Sequence, residues 1–163
     1  MDEKELQKCA NDLLKYINKD IKIIARSKKE YDIKLILEQM KNLSSTEMDY
    51  VIGSCINEYL ITLSKYKLDI NTLKKLNRNS DDIIDCIVYK GYESVMEEAE
   101  IISDDLIMKL FGYNNRKLEL PLDINIIKNH YIHSTIKEED IQRTIIYIVL
   151  NLSAICYNLD KVN

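Results

Sequence analysis

Residues that interrupt helices are scarce in this sequence, which has 3 Gly and 1 Pro among 163 residues. Glycine and proline end helices and form the tight turns that join short strands. A fold made of many short strands is therefore excluded, and long helices with short connections are predicted.

Metal-ligand spacing is missing as well. The four cysteines are far apart and stand among apolar residues: Cys9, Cys55, Cys86 and Cys156. No pair has the spacing of a metal site, so we expect buried free thiols in a reducing cytosol. The chain has 2 His, His130 and His133. With no third histidine and no acidic pair nearby, we expect neither a metal nor a cofactor.

Positive charge is not in excess, since the net charge is −4. A general electrostatic footprint for nucleic acid is therefore absent, although a local basic patch is compatible with this balance. The charged segment Met1 to Glu5 has no apolar signal sequence. The apolar run from Thr144 to Tyr157 is too short to cross a bilayer. We expect a soluble, cytoplasmic protein without membrane contacts.

The most apolar stretch of the chain is its last helix, predicted from Glu138 to Leu159. Apolar side chains recur there at steps of three and four residues, as on one helix face: Ile141, Ile145, Ile148, Leu152, Ile155 and Leu159. Ile146, Val149 and Leu150 widen this face. Such a helix is stable only when neighbours cover it nearly all round, so we place it at the centre of a bundle.

The first part of the chain supplies helices to surround it. A long amphipathic helix is predicted from about Glu3 to Ala25, with lysines on its outer face, and a second from about Tyr31 to Leu43. Ser44 to Glu47 has the capping-box pattern and opens a third helix. Gly53 lies inside this third helix and marks a close helix crossing.

The second part of the chain continues the helical pattern. A short helix is predicted over Asp69 to Leu76, followed by a helix start signal at Asn79 to Asp82 and an end or bend at Gly91. The next predicted helix covers Tyr92 to Phe111 and is ended by Gly112, and an irregular stretch follows over Tyr113 to Leu122. Asp123 is predicted to cap a short helix, and a capping box at Thr135 to Glu138 opens the last one. The prediction is one all-α domain, residues 1–163, forming a bundle of about six or seven helices around the C-terminal helix.

A cation, an amide and an imidazole stand just before the last helix, in Lys128-Asn129-His130-Tyr131-Ile132-His133. Here the sequence resembles the HEPN superfamily of all-helical nucleases and nucleotide-binding domains. The signature of that family is Arg, usually then a polar residue such as Asn, then three residues and His. Asn129 and His133 match it, and Lys128 stands in place of the Arg. The resemblance covers Asp123 to Leu152.

The resemblance implies metal-independent RNA cleavage through attack of a 2′-hydroxyl. His133 would be the general acid/base, since imidazole titrates near neutrality. Asn129 would orient His133 or the phosphate, and Lys128 would stabilise the developing charge. In this family two protomers usually build one site, so a homodimer is implied. A place in a microbial or phage conflict system is also expected.

The lysine leaves several hypotheses open, because Lys cannot make the two-pronged contact that Arg makes. The protein is then either an active ribonuclease or a degenerate member that binds RNA or a nucleotide without cleaving it. A third possibility is a plain connection between helices, in which the His and Tyr side chains cap and pack and have no further role.

Two other classes of function compete with these. Carboxylates along one predicted helix can hold Mg²⁺, as in all-helical nucleotide pyrophosphohydrolases: Glu93, Glu97, Glu98, Glu100, Asp104 and Asp105. The motif spacing of those enzymes is absent, so a solvated face is expected. The alternative is a non-enzymatic interaction protein, such as an immunity or antitoxin protein or a viral Bcl-2-like inhibitor. It would bind a protein partner through a groove or an acidic face.

Overall fold

Seven helices dominate the computed structural model, which describes residues 1–88, 93–113 and 117–162. They are α1 (Glu3–Ser27), α2 (Lys34–Glu38), α3 (Ser45–Ser64), α4 (Ile70–Ile84), α5 (Glu93–Leu110), α6 (Ile124–Ile132) and α7 (Glu138–Val162). Two short strands, β1 (Tyr31–Asp32) and β2 (Ile87–Val88), pair in parallel. The predicted all-α fold is confirmed.

The last helix lies at the centre of the bundle, as predicted. α7 packs against α1, α3, α4, α5 and α6. Its middle is buried on every side, since Ile145 to Leu150 are each at most 2% exposed. An apolar helix becomes stable in this way, because five neighbours remove its surface from water.

Two of the predicted helix starts are confirmed in atomic detail. The Ser44 side chain accepts from the Glu47 backbone N–H, and the Glu47 carboxylate accepts from the Ser44 N–H, which completes the capping box of α3. Asp123 caps α6 by accepting from the Asn125 N–H. Each cap satisfies amide groups that have no partner within the first turn of a helix.

The second helix is shorter than predicted. The expected range was Tyr31 to Leu43, but α2 covers only Lys34–Glu38. Tyr31 belongs to β1, where its backbone N–H donates to the Cys86 carbonyl at 2.8 Å and its hydroxyl donates to Asp20 at 2.6 Å. These two contacts hold the segment extended, so the helix begins only after Ile33.

The start signal at Asn79 to Asp82 was wrong. It lies inside α4, one continuous helix from its cap at Asp69 to Ile84. The Ser80 hydroxyl donates to the Leu76 carbonyl one turn earlier, and Asn158 of α7 donates to Ser80. Ser80 is 3% exposed. A residue type that usually begins helices is here a buried contact between α4 and α7.

The start of α7 also differs from the prediction. The capping box was placed at Thr135 to Glu138, but Glu138 is the first residue of the helix and not its third. Ser134 organises the turn before it, since its hydroxyl donates to the Tyr131 carbonyl and accepts from the Ile136 N–H.

Other local predictions are confirmed. α5 ends at Leu110, and Gly112 adopts φ +74°, the left-handed conformation that glycine tolerates best. Gly53 lies against Ile124 of α6. A Cβ at position 53 would be 3.5 Å from the Ile124 Cβ, an ordinary contact, so the helices cross closely without requiring glycine. The expected end or bend at Gly91 lies outside the described residues.

No helix in the described residues is both long enough and apolar enough to cross a membrane. The described residues also share one hydrophobic cluster that includes side chains from all seven helices.

Candidate functional site

The HEPN-like residues lie on α6 and the turn after it. Lys128 and Asn129 are inside the helix, and His133 is its C-terminal capping residue. Lys128 and His133 are five positions apart, which on an α-helix separates their side chains by about 140° around the axis. The short helix therefore directs the expected cation and imidazole to different sides.

Lys128 already has a partner. Its Nζ lies 2.6 Å from the Asp49 carboxylate of α3, and the two side chains are 31% and 23% exposed. This ion pair joins α6 to α3 and neutralises the cation. A lysine held in this way is poorly placed to stabilise a charge that develops on a substrate.

The two histidines and Asn129 are exposed. The His130 ring contacts the buried Tyr131 ring edge-on, with centroids 5.3 Å apart. The His133 backbone N–H donates to the Tyr131 carbonyl, which closes the helix. His133 is therefore accessible to a substrate, while the cation that would act beside it is paired with Asp49.

Another side of the bundle carries a cleft. It has a volume of about 750 Å³ and lies between α1, α3 and α7. Its first wall is one face of α1: Asn11, Leu14, Lys15, Asn18, Ile21 and Lys22. Its other surfaces come from α3 and α7: Glu58, Tyr59, Thr62, Ser153, Cys156 and Tyr157. This size and this mixture of polar and apolar lining are typical of sites for small molecules.

Asn18 connects the three helices at this cleft. Its side-chain oxygen accepts from the Tyr59 hydroxyl of α3 at 2.7 Å and from the Ser153 hydroxyl of α7 at 3.3 Å. Tyr59 and Ser153 are almost fully buried. Two donors on one oxygen fix the orientation of the Asn18 amide, because its other end must then carry the N–H groups.

Two groups of the cleft, the Tyr59 hydroxyl and the Cys156 thiol, are held in their protonated forms. Burial raises the pKa of the Tyr59 hydroxyl well above its ordinary range. Burial also raises the pKa of the Cys156 thiol to about 12, so the thiol stays protonated near neutral pH.

A row of cations runs beside the cleft along α1. We call it the α1 stripe: Lys4, Lys8, Lys15, Lys19, Lys22 and Arg26. At about 100° per residue, all six side chains fall within a sector of about 60°, and they extend over about 33 Å of helix. All six are exposed. Within the described part of the chain none of them forms an ion pair with a carboxylate.

Acidic side chains of α4 and α5 lie close enough to influence one another. Burial, with Glu100 and Asp81 beside it, raises the pKa of the Asp104 carboxyl to about 6. Burial raises the pKa of Asp81 as well, with Glu100 adding to the effect. Asp104 is thus partly buried among like charges, in contrast to the expected solvated face. The described residues contain no group of His, Cys, Asp and Glu side chains with metal-binding geometry.

The sequence pattern predicts lysines on the outer face of α1 but gives no signal for the cleft beside them. A helical projection of residues 4 to 26 would have shown the stripe. The grouping of Asn18, Tyr59 and Ser153 has no local signal, because it joins positions up to 135 residues apart.

Comparisons with protein-family models, curated proteins and solved structures give no significant match for this chain. Its function must therefore be inferred from its own residues.

Proposed function

We propose that this protein binds single-stranded RNA through the α1 stripe and does not cleave it. The observation that carries the proposal is the stripe itself: six exposed cations on one narrow helix face, without acidic partners in the described residues. A row of lysines and arginines neutralises successive phosphates and releases their counterions, which is the main source of affinity in such complexes.

The net charge of −4 is compatible with this function. A local cationic surface determines where a polyanion binds, and acidic groups elsewhere lower non-specific binding through repulsion. Here six cations lie on one face of α1, while Asp81, Glu100 and Asp104 lie close together on α4 and α5. This distribution of charge supports the α1 stripe as the binding surface for RNA.

The proposal modifies the expectation from the HEPN resemblance. Cleavage needs a free cation beside the phosphorane and close to the catalytic histidine. Lys128 is paired with Asp49, and His133 points to another side of α6. A non-cleaving, HEPN-like RNA-binding protein of a conflict system is the version that these positions favour.

Salt dependence and charge neutralisation test the proposal together. We expect fluorescence anisotropy to show binding of a single-stranded oligoribonucleotide that weakens steeply with salt. Neutralising Lys15, Lys19 and Lys22 to Gln should weaken binding by at least about tenfold and lower the slope of log K against log salt by about 2. The matched control neutralises three exposed lysines elsewhere, Lys67, Lys74 and Lys75.

Equal losses in both triple variants would show that only overall charge matters and would refute the stripe as the site. Absence of any binding by the wild type at low salt would refute RNA binding altogether. The homodimer implied by the resemblance is tested separately, by sedimentation of the protein with and without RNA.

A protein-binding function is the second candidate, and one observation favours it. Ile126 and Ile132 on α6 are 61% and 57% exposed, which is unusual for isoleucine on so short a helix. Replacing both with Ser should abolish capture of a protein partner and leave RNA affinity unchanged. Loss of RNA affinity in this variant would contradict the assignment of RNA to α1.

A further inference from the structure

The cleft and the α1 stripe share two residues. Lys15 and Lys22 belong to the stripe and also line the cleft. An anionic group held by these lysines therefore lies at the mouth of the cleft, and anything attached to that group can reach into it. A ligand that fits both features has a negative charge joined to a compact, mostly uncharged part.

The polar groups in the cleft suit the edge of a heteroaromatic ring. The Asn18 side-chain oxygen is occupied by two hydroxyls, and its amide nitrogen donates to no partner in the described residues. It can therefore donate to a ligand acceptor. The Glu58 carboxylate on the facing wall can accept from a ligand donor. Adjacent donors and acceptors are what the edge of a nucleobase presents.

The remaining lining suits the faces of such a ring. The half-buried Leu14 contributes apolar surface from α1, and the half-buried Tyr157 contributes an aromatic side chain from α7. Proteins that bind single strands commonly combine a cationic track for the backbone with aromatic surfaces on which bases stack.

We propose that this cleft is a nucleobase-binding subsite that receives one unstacked base of a single strand whose phosphates lie on the α1 stripe. The inference rests on the proposed function and adds to it a direct contact with one base, which explains why the strand must be unpaired. A duplex keeps its bases stacked inside, so it offers phosphates to the stripe but no base to the cleft.

The test compares a short oligouridylate with an oligomer of the same length in which every base is removed. Both carry the same phosphates, so the ratio of their affinities reports the base contribution alone. We expect the wild type to prefer the base-bearing strand by about tenfold. Neutralising Lys15, Lys19 and Lys22 should weaken both strands by similar factors and leave the ratio in place.

Two variants in the cleft and one control test whether the base contribution to affinity comes from this cleft. Asn18→Asp keeps an oxygen for the Tyr59 and Ser153 hydroxyls but removes the amide donors, and it should lower the ratio to about twofold or less. Asn71→Asp adds the same charge on the exposed surface of α4, outside the cleft, and should leave the ratio unchanged. Tyr157→Leu removes the aromatic surface and should also lower the ratio, which keeps the test valid if Asn18→Asp folds poorly.

The outcomes separate the two proposals. Equal affinity of the wild type for both strands would overturn the base subsite and leave RNA binding by the stripe in place. No affinity for either strand would overturn both. An equal fall of the ratio in Asn71→Asp and Asn18→Asp would assign the effect to charge and also overturn the subsite. Competition by uridine monophosphate would support the subsite and show that free nucleotides share it.

Discussion

The end of α6 and the outer face of α1 both carry cationic side chains, but they differ in what surrounds those side chains. Lys128 of α6 lies 2.6 Å from Asp49 and helps to fasten its helix to α3. The six cations of the α1 stripe have no such acidic partners in the described residues. A cation contributes to ligand binding only when the fold leaves it available, so the partner of a lysine matters more than the motif around it.

The two helices also differ in their length and in how they pack against the bundle. α6 is a nine-residue helix whose inward side is used for packing, with Ile127 and Tyr131 at most 2% exposed. The Tyr131 hydroxyl donates to the Glu98 carbonyl of α5 at 2.8 Å. α1 is 25 residues long and buries one face while the stripe remains in solvent. In this comparison α6 serves as a structural element, and α1 carries the exposed surface to which we assign RNA binding.

The largest expected effect concerns the attachment of α6. The Asn57 amide of α3 donates to the Leu122 carbonyl and accepts from the Leu122 N–H, so it holds the chain just before α6. Asn57→Ala should destabilise the protein by about 2 kcal/mol, because two main-chain groups lose their partners. Urea denaturation measures this change. RNA affinity should stay within twofold, and a large loss of affinity would mean that α6 takes part in binding.

The next largest effect is expected on the unfolding free energy, at the acidic residues of α4 and α5, where like charges lie close together. The raised pKa of Asp104 means that the folded state favours its protonated form. Ionisation of Asp104 therefore lowers the unfolding free energy. This loss is fully present above about pH 6 and disappears as the pH falls toward 4, where the carboxyl is protonated in the unfolded chain too. Asp104→Asn should therefore raise the unfolding free energy by about 1 kcal/mol at pH 7.5, allowing for partial exposure.

Denaturation at several pH values checks this prediction, and Glu97→Gln on the exposed face of α5 is the control. The stabilisation from Asp104→Asn should vanish near pH 4. A stabilisation that is independent of pH would contradict the assigned role of Asp104 ionisation.

A smaller effect tests whether Lys128 stays outside the RNA surface even when its carboxylate partner is removed. Asp49→Asn releases the lysine, but RNA affinity should rise by less than about twofold, because the RNA is assigned to α1 and only the net charge has changed. Asp105→Asn is a matched control, because it likewise removes one carboxylate paired with a lysine, Lys109. A gain of about tenfold in Asp49→Asn alone, measured by anisotropy, would show that Lys128 contacts the RNA and would contradict the assignment to α1.

The smallest effect is expected at His133. We predict that the protein leaves mixed RNA intact in the absence of metal and that His133→Ala changes RNA affinity by less than twofold. Gel electrophoresis of the incubated RNA and anisotropy measure the two quantities. Cleavage by the wild type that the His133→Ala variant lacks would restore the nuclease hypothesis and refute binding without cleavage.

Much of the fold could be predicted from the sequence, because its strongest signals are local or periodic. The capping residues Ser44 and Asp123 act within one helical turn, and the apolar pattern of α7 is continuous. The errors arose where tertiary contacts changed the role of a residue. Ser80 resembled a helix start but donates to Leu76 and accepts from Asn158. Tyr31 resembled a helical residue but pairs with the Cys86 carbonyl.

The candidate site was harder to predict for the same reason. The pattern from Lys128 to His133 is compact in sequence, so it was found, but its cation is paired with Asp49, 79 residues away. Asn18, Tyr59 and Ser153 meet only because α1, α3 and α7 pack together. No spacing rule in a single sequence contains that information.

The central claim is that RNA lies along α1, and lysine footprinting tests it most directly. The protein is acetylated with and without a single-stranded oligoribonucleotide, and mass spectrometry measures the reactivity of each lysine. The account predicts that RNA protects Lys15, Lys19 and Lys22 severalfold while Lys74 and Lys75 react equally in both samples. Protection confined to Lys128 and Lys137, or no protection of the α1 lysines under conditions of full binding, would contradict it.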